Sequence, residues 1–468
     1  MEDSRVLYWF RQICAIPHGS GNTRALSDLC VRFAEERGLA VRQDAANNVV
    51  IVKEATCGYE GRPTVIVQAH LDMVTEKTPD CTLDFEREGL RLVTEGDWLR
   101  AEGTTLGADD GSGVAIALAL LEADGLAHPR LEIVLTADEE IGMLGAAALD
   151  CSDLQGRRLL NLDSEVEGEF TVSCAGGMLV QCRFPAEWEK ATRPAWRITV
   201  GGLKGGHSGG SIHHGRGNAC VLMGRLLHHC GSHRLATLAA PGKDNAIAAA
   251  CTAIVTTEEP AALKKAVEEY AAVLRREYAI ADPGLTVTVE PAAAERVLER
   301  TRQENLEKFL LLAPNGVRAM SRALPGLVET SLNLGVIAAG ETELCLTYCV
   351  RSSVTSRKMH LAEQLTVLAE TLGGETSYSG EYPAWEYDPD SPLRRLATEV
   401  FREQYGAEPK TVGTHGGLEC GIFCGKLHGP DVISYGPEIH AIHTPREKMS
   451  LSSLERVWRF TVALLEKC

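Results

Sequence analysis

The 468-residue chain has no stretch of about 18 consecutive apolar residues, so it offers no candidate membrane-spanning helix. The opening Met1-Glu2-Asp3-Ser4-Arg5 is not followed by an apolar run of signal-peptide type and leads into an amphipathic segment. Cysteine pairs of the CxxC kind are missing as well, which excludes a zinc ribbon or a dithiol redox motif. The fifteen cysteines are an odd, scattered set. Several of them, such as Cys345 and Cys349, fall in apolar strand-like runs and read as small core residues. Together these features predict a protein of the reducing cytosol. Basic residues are in deficit, 47 Lys plus Arg against 64 Asp plus Glu, and a net charge of -17 repels phosphate backbones. Nucleic acid is therefore not an expected partner. Internal repeats and low-complexity tracts are also lacking.

What is present is an ordinary globular composition, 44% hydrophobic and 24% charged, in a chain too long for one core. From Leu7 to Asp163, helix-like and strand-like blocks alternate, which predicts an α/β domain with a central, mostly parallel sheet. The runs Val49 to Val52, Thr64 to Gln68, Leu131 to Thr136 and Leu159 to Leu162 read as strands buried on both faces. Around Phe184 the texture changes, and a second series follows. It holds an amphipathic helix near Ala261 to Tyr278, a strand at Leu285 to Val289 and a hairpin joining Ser331–Val336 to Leu344–Val350 through Gly340. After Tyr382-Pro383 the first texture resumes, with a helix at Leu393 to Tyr405, a glycine-rich turn at Gly413 to Gly421 and a last helix from Ser452. The expected organisation is a discontinuous catalytic domain, residues 1–183 and 381–468, with an α+β domain, residues 184–380, inserted in it.

Acidic and imidazole groups stand just beyond predicted strand ends, where open α/β sheets place ligands. His70-Leu71-Asp72 follows a strand, and the i, i+2 spacing lets Asp72 orient the His70 ring, although an isolated HxD is also a common surface pair. Asp109 lies in the Gly107–Gly113 loop before an apolar helix, as a cation bridge or as a plain helix cap. Asp138-Glu139-Glu140 follows Leu131–Leu135, and adjacent carboxylates suit one metal ligand and one general base as well as a solvated turn. Asp163 and the pair His440 and His443 complete the set.

The blocks HLD (70–72), GADDGSG (107–113), DEEIGMLGA (138–146), NLDSEVEGE (161–169), GGHSGG (205–210), GLECG (417–421) and HTPREKM (443–449) resemble, in order, the M20 metallopeptidases, and within them the aminoacyl-histidine dipeptidase branch. The resemblance implies one zinc on His70, Asp109 and Asp163 and another on Asp109, Glu140 and His443, with manganese or cobalt as substitutes. It favours His443 over His440 as ligand. It implies Asp72 orienting His70, Glu139 as general base, and His207 as a transition-state donor supplied by a partner subunit. It also implies that Arg351 holds the substrate carboxylate and that the inserted domain is a lid and dimerisation domain. Glu419 is a candidate for the substrate amine or a structural turn carboxylate. His213, His214, His228, His229 and His233 read as surface residues. The implied activity is hydrolysis of dipeptides with a free N-terminus, Xaa-His dipeptides among the candidates. A tripeptidase, an N-acyl-amino-acid deacylase and a non-catalytic scaffold or binding protein are the alternatives.

Overall fold

The computed structural model describes residues 4–468; Met1 to Asp3, part of the opening read for a leader, lie outside the described residues. The chain forms two compact units. One runs through Ser173 and takes up Tyr387–Gly413 and Leu418–Cys468, and the other is Cys174–Glu386 with Thr414–Gly417. Strand Gly176–Pro185 pairs along its whole length with Glu343–Ser352, so it belongs to the second unit although the change of texture begins only at its end.

The first unit is built on an eight-stranded sheet in the order Ala40–Gln43, Val49–Lys53, Leu131–Thr136, Val65–His70, Arg158–Asn161, Asp431–Ser434, Glu169–Cys174, Lys410–Thr414. The four strands from Leu131–Thr136 to Asp431–Ser434 run parallel to one another, whereas Val49–Lys53 and Glu169–Cys174 join them antiparallel. The sheet is therefore mixed rather than mostly parallel. An apolar run buried on both faces reads alike in either direction, and the connection decides the sense: Val49–Lys53 arrives by a hairpin from Ala40–Gln43.

Val65–His70 and Leu131–Thr136 are buried at every position, as strands covered on both faces must be. Against them lies helix Ala108–Glu122, buried from Ala108 through Leu121, and an apolar circumference is what such a central helix requires. Its small opening residues have a packing cause: a Cβ on Gly113 would stand 2.4 Å from Asp110 Oδ1 and 2.8 Å from Leu162 Cβ. The C-terminal ends of the parallel strands share one edge of the sheet, and from that edge emerge His70 to Asp72, Asp138 to Glu140, Asp163 and the segment leading to His443.

The second unit contains two larger antiparallel sheets and a two-stranded one, Trp188–Lys190 with Arg296–Leu298. The five-stranded one runs Gly316–Met320, Val328–Ala339, Glu343–Ser352, Gly176–Pro185, Glu375–Tyr382, and the four-stranded one Arg234–Ala239, Cys251–Thr256, Ala195–Gly201, Thr286–Ala292. Helices Ala219–His229, Pro260–Glu277, Arg300–Leu312 and Thr355–Thr371 contribute to its core, in which Leu226, Leu274, Phe309, Leu365 and Tyr348 are buried together. His233, expected at the surface, is instead buried and pairs with Glu307 Oε1 at 3.0 Å, while His213, His214, His228 and His229 are exposed. No disulfide joins the cysteines of the described residues, and no helix among those residues is long and apolar enough to cross a membrane.

Substituting Gly113→Ala is expected to destabilise the first unit by about 1–3 kcal/mol through overpacking. Gly61→Ala, where a Cβ meets nothing within 4 Å, should leave the urea midpoint in place. Equal midpoints for the two variants would remove the packing explanation.

Candidate metal centre

His70 ends its strand with the ring buried, and Nε2 lies 3.1 Å from Asp109 Oδ1 and 3.8 Å from Asp163 Oδ1. The other ring nitrogen, Nδ1, faces the Asp72 carbonyl oxygen at 3.0 Å and the Asp72 carboxylate at 3.6 Å. The carbonyl is thus the nearer partner of the ring. The Asp72 carboxylate accepts from the backbone N–H of Glu139 (2.9 Å) and Glu140 (3.2 Å) and from Ser20 Oγ (2.7 Å). One side chain therefore ties the end of the His70 strand to the loop that carries both glutamates.

Asp109 turns its oxygens to two histidines: Oδ1 to His70, and Oδ2 to His443 Nε2 at 3.1 Å. His443 Nε2 also lies 2.8 Å from Glu140 Oε1. His440 goes elsewhere, to Glu438 at 2.6 Å and against the Trp98 ring. Two groups bring three ligand atoms within 4.8 Å of one another, His70 with Asp109 and Glu140, and His70 with Asp110 and Asp163. Asp110 was absent from the sequence-based ligand set; its oxygens accept from the N–H of His70 (3.2 Å) and Gly113 (3.1 Å), so it also holds the strand end and the helix start together.

Glu447 is a second residue that sequence reasoning missed. Buried, it accepts from the N–H of Leu106 (2.9 Å), Gly107 (3.2 Å) and Ala108 (2.8 Å), and so shapes the loop that presents Asp109. Its position four residues after His443 in HTPREKM was the available signal. Several residues that flank the ligands hold left-handed backbone without being glycine: Asp138 (φ 57°), Met143 (φ 58°), Ala441 (φ 56°) and His443 itself (φ 58°). Such conformations cost about 1–3 kcal/mol each and persist where surrounding bonds enforce them. Here the Gly21 N–H donates to Asp138 Oδ1 at 2.7 Å and the Ala137 N–H to Asn48 Oδ1 at 3.0 Å.

Burial opposes charge on His70, yet the bonds to Asp109 and Asp72 and the charge of Asp163 outweigh it and raise its pKa. Bonds to Asp109 and Glu140 push His443 up to about 10. Burial pushes Asp163 and Asp110 upward, and it raises Glu139 to about 8 with help from Glu419, Glu140 and Asp109. These shifts favour protons on the two histidines and on Asp110, Glu139 and Asp163 in the absence of cations, because packed carboxylates need positive charge. Oxygen and imidazole donors without a thiolate, facing one another across Asp109, fit a pair of divalent first-row cations. Glu419 opens helix Glu419–Lys426 and is wholly buried, its Oε2 accepting from Gln68 Nε2 and Thr136 Oγ1, both at 2.6 Å. It lies at the strand ends, where a helix begins inside the stretch expected to be a glycine-rich turn, and its Oε1 has no hydrogen-bond partner among the described residues.

Two candidates belong to the second unit. His207 is exposed, and its Nδ1 accepts from the N–H of Gly209 (3.3 Å) and Gly210 (3.1 Å), which leaves the proton on Nε2. Arg351 is buried, with Nη1 donating to the Tyr382 hydroxyl at 2.7 Å and Nε reaching Ser208 Oγ at 3.4 Å.

Because these protons must leave when cations enter, binding of divalent metal to the stripped protein is expected to release protons and to tighten as pH rises from 6 to 8. Titration calorimetry in buffers of different ionisation heat measures this, and an enthalpy independent of buffer would contradict it.

The model of peptidase family M20/M25/M40 matches residues 66–467. A cytosol non-specific dipeptidase of Escherichia coli is 36% identical over 98% of this chain and 96% of its own. The crystal structure of an aminoacylhistidine dipeptidase from Vibrio alginolyticus superposes with a TM-score of 0.91 at 36% identity, over 100% of this chain and 97% of that one. A tripeptidase from Staphylococcus aureus, 16% identical with a TM-score of 0.59 over 99% and 97% of the two chains, shares the fold. With its strand-end carboxylates and histidines gathered about Asp109, this chain belongs to peptidase family M20/M25/M40, as a hydrolase closely related to the aminoacylhistidine dipeptidases.

Proposed function

We propose that this chain hydrolyses dipeptides with a free amino terminus, Xaa-His dipeptides among them, using two zinc ions per chain in the cytosol. The observation that carries the reading is Asp109 held between His70 and His443 while Asp72 fixes the adjacent Glu139 and Glu140. The names of the Escherichia coli and Vibrio alginolyticus relatives support the dipeptide substrate and the compartment. His70 and Asp163 with Asp109 would hold one ion, and Glu140 and His443 with Asp109 the other; manganese or cobalt could occupy the same donors. Bound cations supply Lewis acidity for the scissile carbonyl and bring the pKa of a water down to about 7. Glu139 takes the proton of the attacking water and returns it to the leaving amine. Its backbone bond to Asp72 keeps it at the strand-end cluster, and its buried surroundings favour a carboxyl that gains and loses a proton near neutrality.

His207 donates a hydrogen bond from Nε2–H to the developing oxyanion, from the second unit of a partner subunit, and that unit serves as lid and dimerisation domain. The bonds received at Nδ1 support this tautomer. Arg351 receives the terminal carboxylate of the peptide; a buried guanidinium whose bonds go to hydroxyls retains charge for an anion.

A panel of Ala-Ala, Gly-Leu, β-Ala-His, Ala-Ala-Ala and N-acetyl-Ala tests the substrate class. Cleavage of the free dipeptides is expected, and turnover of the acetylated compound alone would move the protein to the deacylases. Glu139→Gln should lower kcat by about 10²- to 10⁴-fold while zinc content stays the same. If His207 acts across subunits, mixing inactive Glu139→Gln and His207→Ala proteins and allowing chain exchange should restore activity. A mixture that stays inactive although hybrid dimers form would place His207 outside that role.

A further inference from the structure

Four neighbouring strands of the second unit bring a row of residues to one level. Ser331 stands opposite Arg351, Arg351 opposite Gly177, and Gly177 opposite Tyr382. Directly opposed residues of antiparallel strands project from the same face, so this is one lateral row. Its third member has no side chain, and a Cβ there would stand 2.5 Å from both Cζ and the hydroxyl oxygen of Tyr382. The tyrosine ring therefore lies over the bare glycine, and its hydroxyl oxygen accepts from Arg351 Nη1 at 2.7 Å.

The strand end that carries Tyr382 is held in turn. Lys358, fully buried, donates from Nζ to the Tyr382 carbonyl oxygen at 2.9 Å and pairs with Glu381 at 3.1 Å. At the other end of the row Ser331 Oγ lies 2.7 Å from Nε2 of the buried His415. Arg351 is thus a buried cation clamped by neutral hydroxyls, an arrangement that costs free energy in the empty site and favours an anion. A guanidinium recognises a carboxylate through a planar fork, so its orientation determines how well it binds.

We propose that Tyr382, laid across Gly177, is a positioning residue that aims the Arg351 fork at a substrate's terminal carboxylate and thereby sets the preference for free over C-terminally blocked peptides. The proposal rests on the carboxylate reading of Arg351 given above. It needs no proton transfer by Tyr382; the ring and its hydroxyl act through Arg351 alone.

The test compares Ala-Ala with Ala-Ala amide in the zinc-loaded wild type, Tyr382→Phe, Gly177→Ala, Arg351→Lys and the Tyr382→Phe/Arg351→Lys double variant. Tyr382→Phe keeps the ring and so decides the question if Gly177→Ala does not fold. The expected result is a KM for Ala-Ala raised about tenfold, as for loss of a bond to a charged group, with kcat within about twofold. The KM for the amide should not move, and the double variant should discriminate no worse than Arg351→Lys alone. If Arg351→Lys loses the preference for the free acid but Tyr382→Phe keeps it, or lowers turnover of both substrates alike, the positioning role is overturned. If Arg351→Lys itself keeps the preference, the carboxylate reading of Arg351 fails first, whatever the tyrosine does.

Discussion

The constraint on which the first unit depends is the packing of several carboxylates into a buried space, where like charges repel and water cannot screen them. Asp109, Asp110, Glu139 and Asp163 would scatter if left to themselves, and burial together with neighbouring carboxylates drives three of them toward the protonated form. Asp109, Asp110 and Glu139 are instead held through the backbone beside them. Asp72 binds the N–H groups of two successive glutamates, Asp110 those of His70 and Gly113, and Glu447 those of three residues in the Asp109 loop. These are carboxylates that spend their oxygens on orientation so that others keep theirs for cations. The second unit meets the opposite problem, a buried cation, whose guanidinium donates to two hydroxyls.

Strand direction follows from the same need. A site assembled from residues far apart in the chain requires that their strands end along one edge, and the four parallel strands at the middle of the sheet supply it. The strands outside them complete the sheet without carrying a metal ligand. The ligand-bearing turns pay in left-handed backbone at Asp138, Ala441 and His443, which places side chains where an ordinary turn would not.

Much was legible in the sequence because periodicity and strand-end position are local properties. The buried runs at Val65 and Leu131, the helix after Asp109 and the hairpin through Gly340 all lie where their patterns indicated, since burial on one or two faces dictates composition. The sheet's mixed sense was not legible, because an apolar run has no direction. His233 looked like its exposed neighbours because the chain gives no sign of Glu307 waiting 74 positions later. Glu419 sits in a glycine-rich stretch that suggests an open turn, yet a helix begins there and the side chain is buried.

The sequence by itself determined which groups could do the chemistry: two histidines and an ordered series of carboxylates at strand ends, with no thiolate among them. Tertiary structure alone decided how they are divided. That Asp109 faces both histidines, that Asp110 serves the backbone of His70 and Glu447 that of Leu106, and that Tyr382 reaches Arg351 over Gly177 all depend on residues tens to hundreds of positions apart. Their distances are set by strand register and helix packing. Spacing along the chain does not encode these quantities, because they arise only when the core closes.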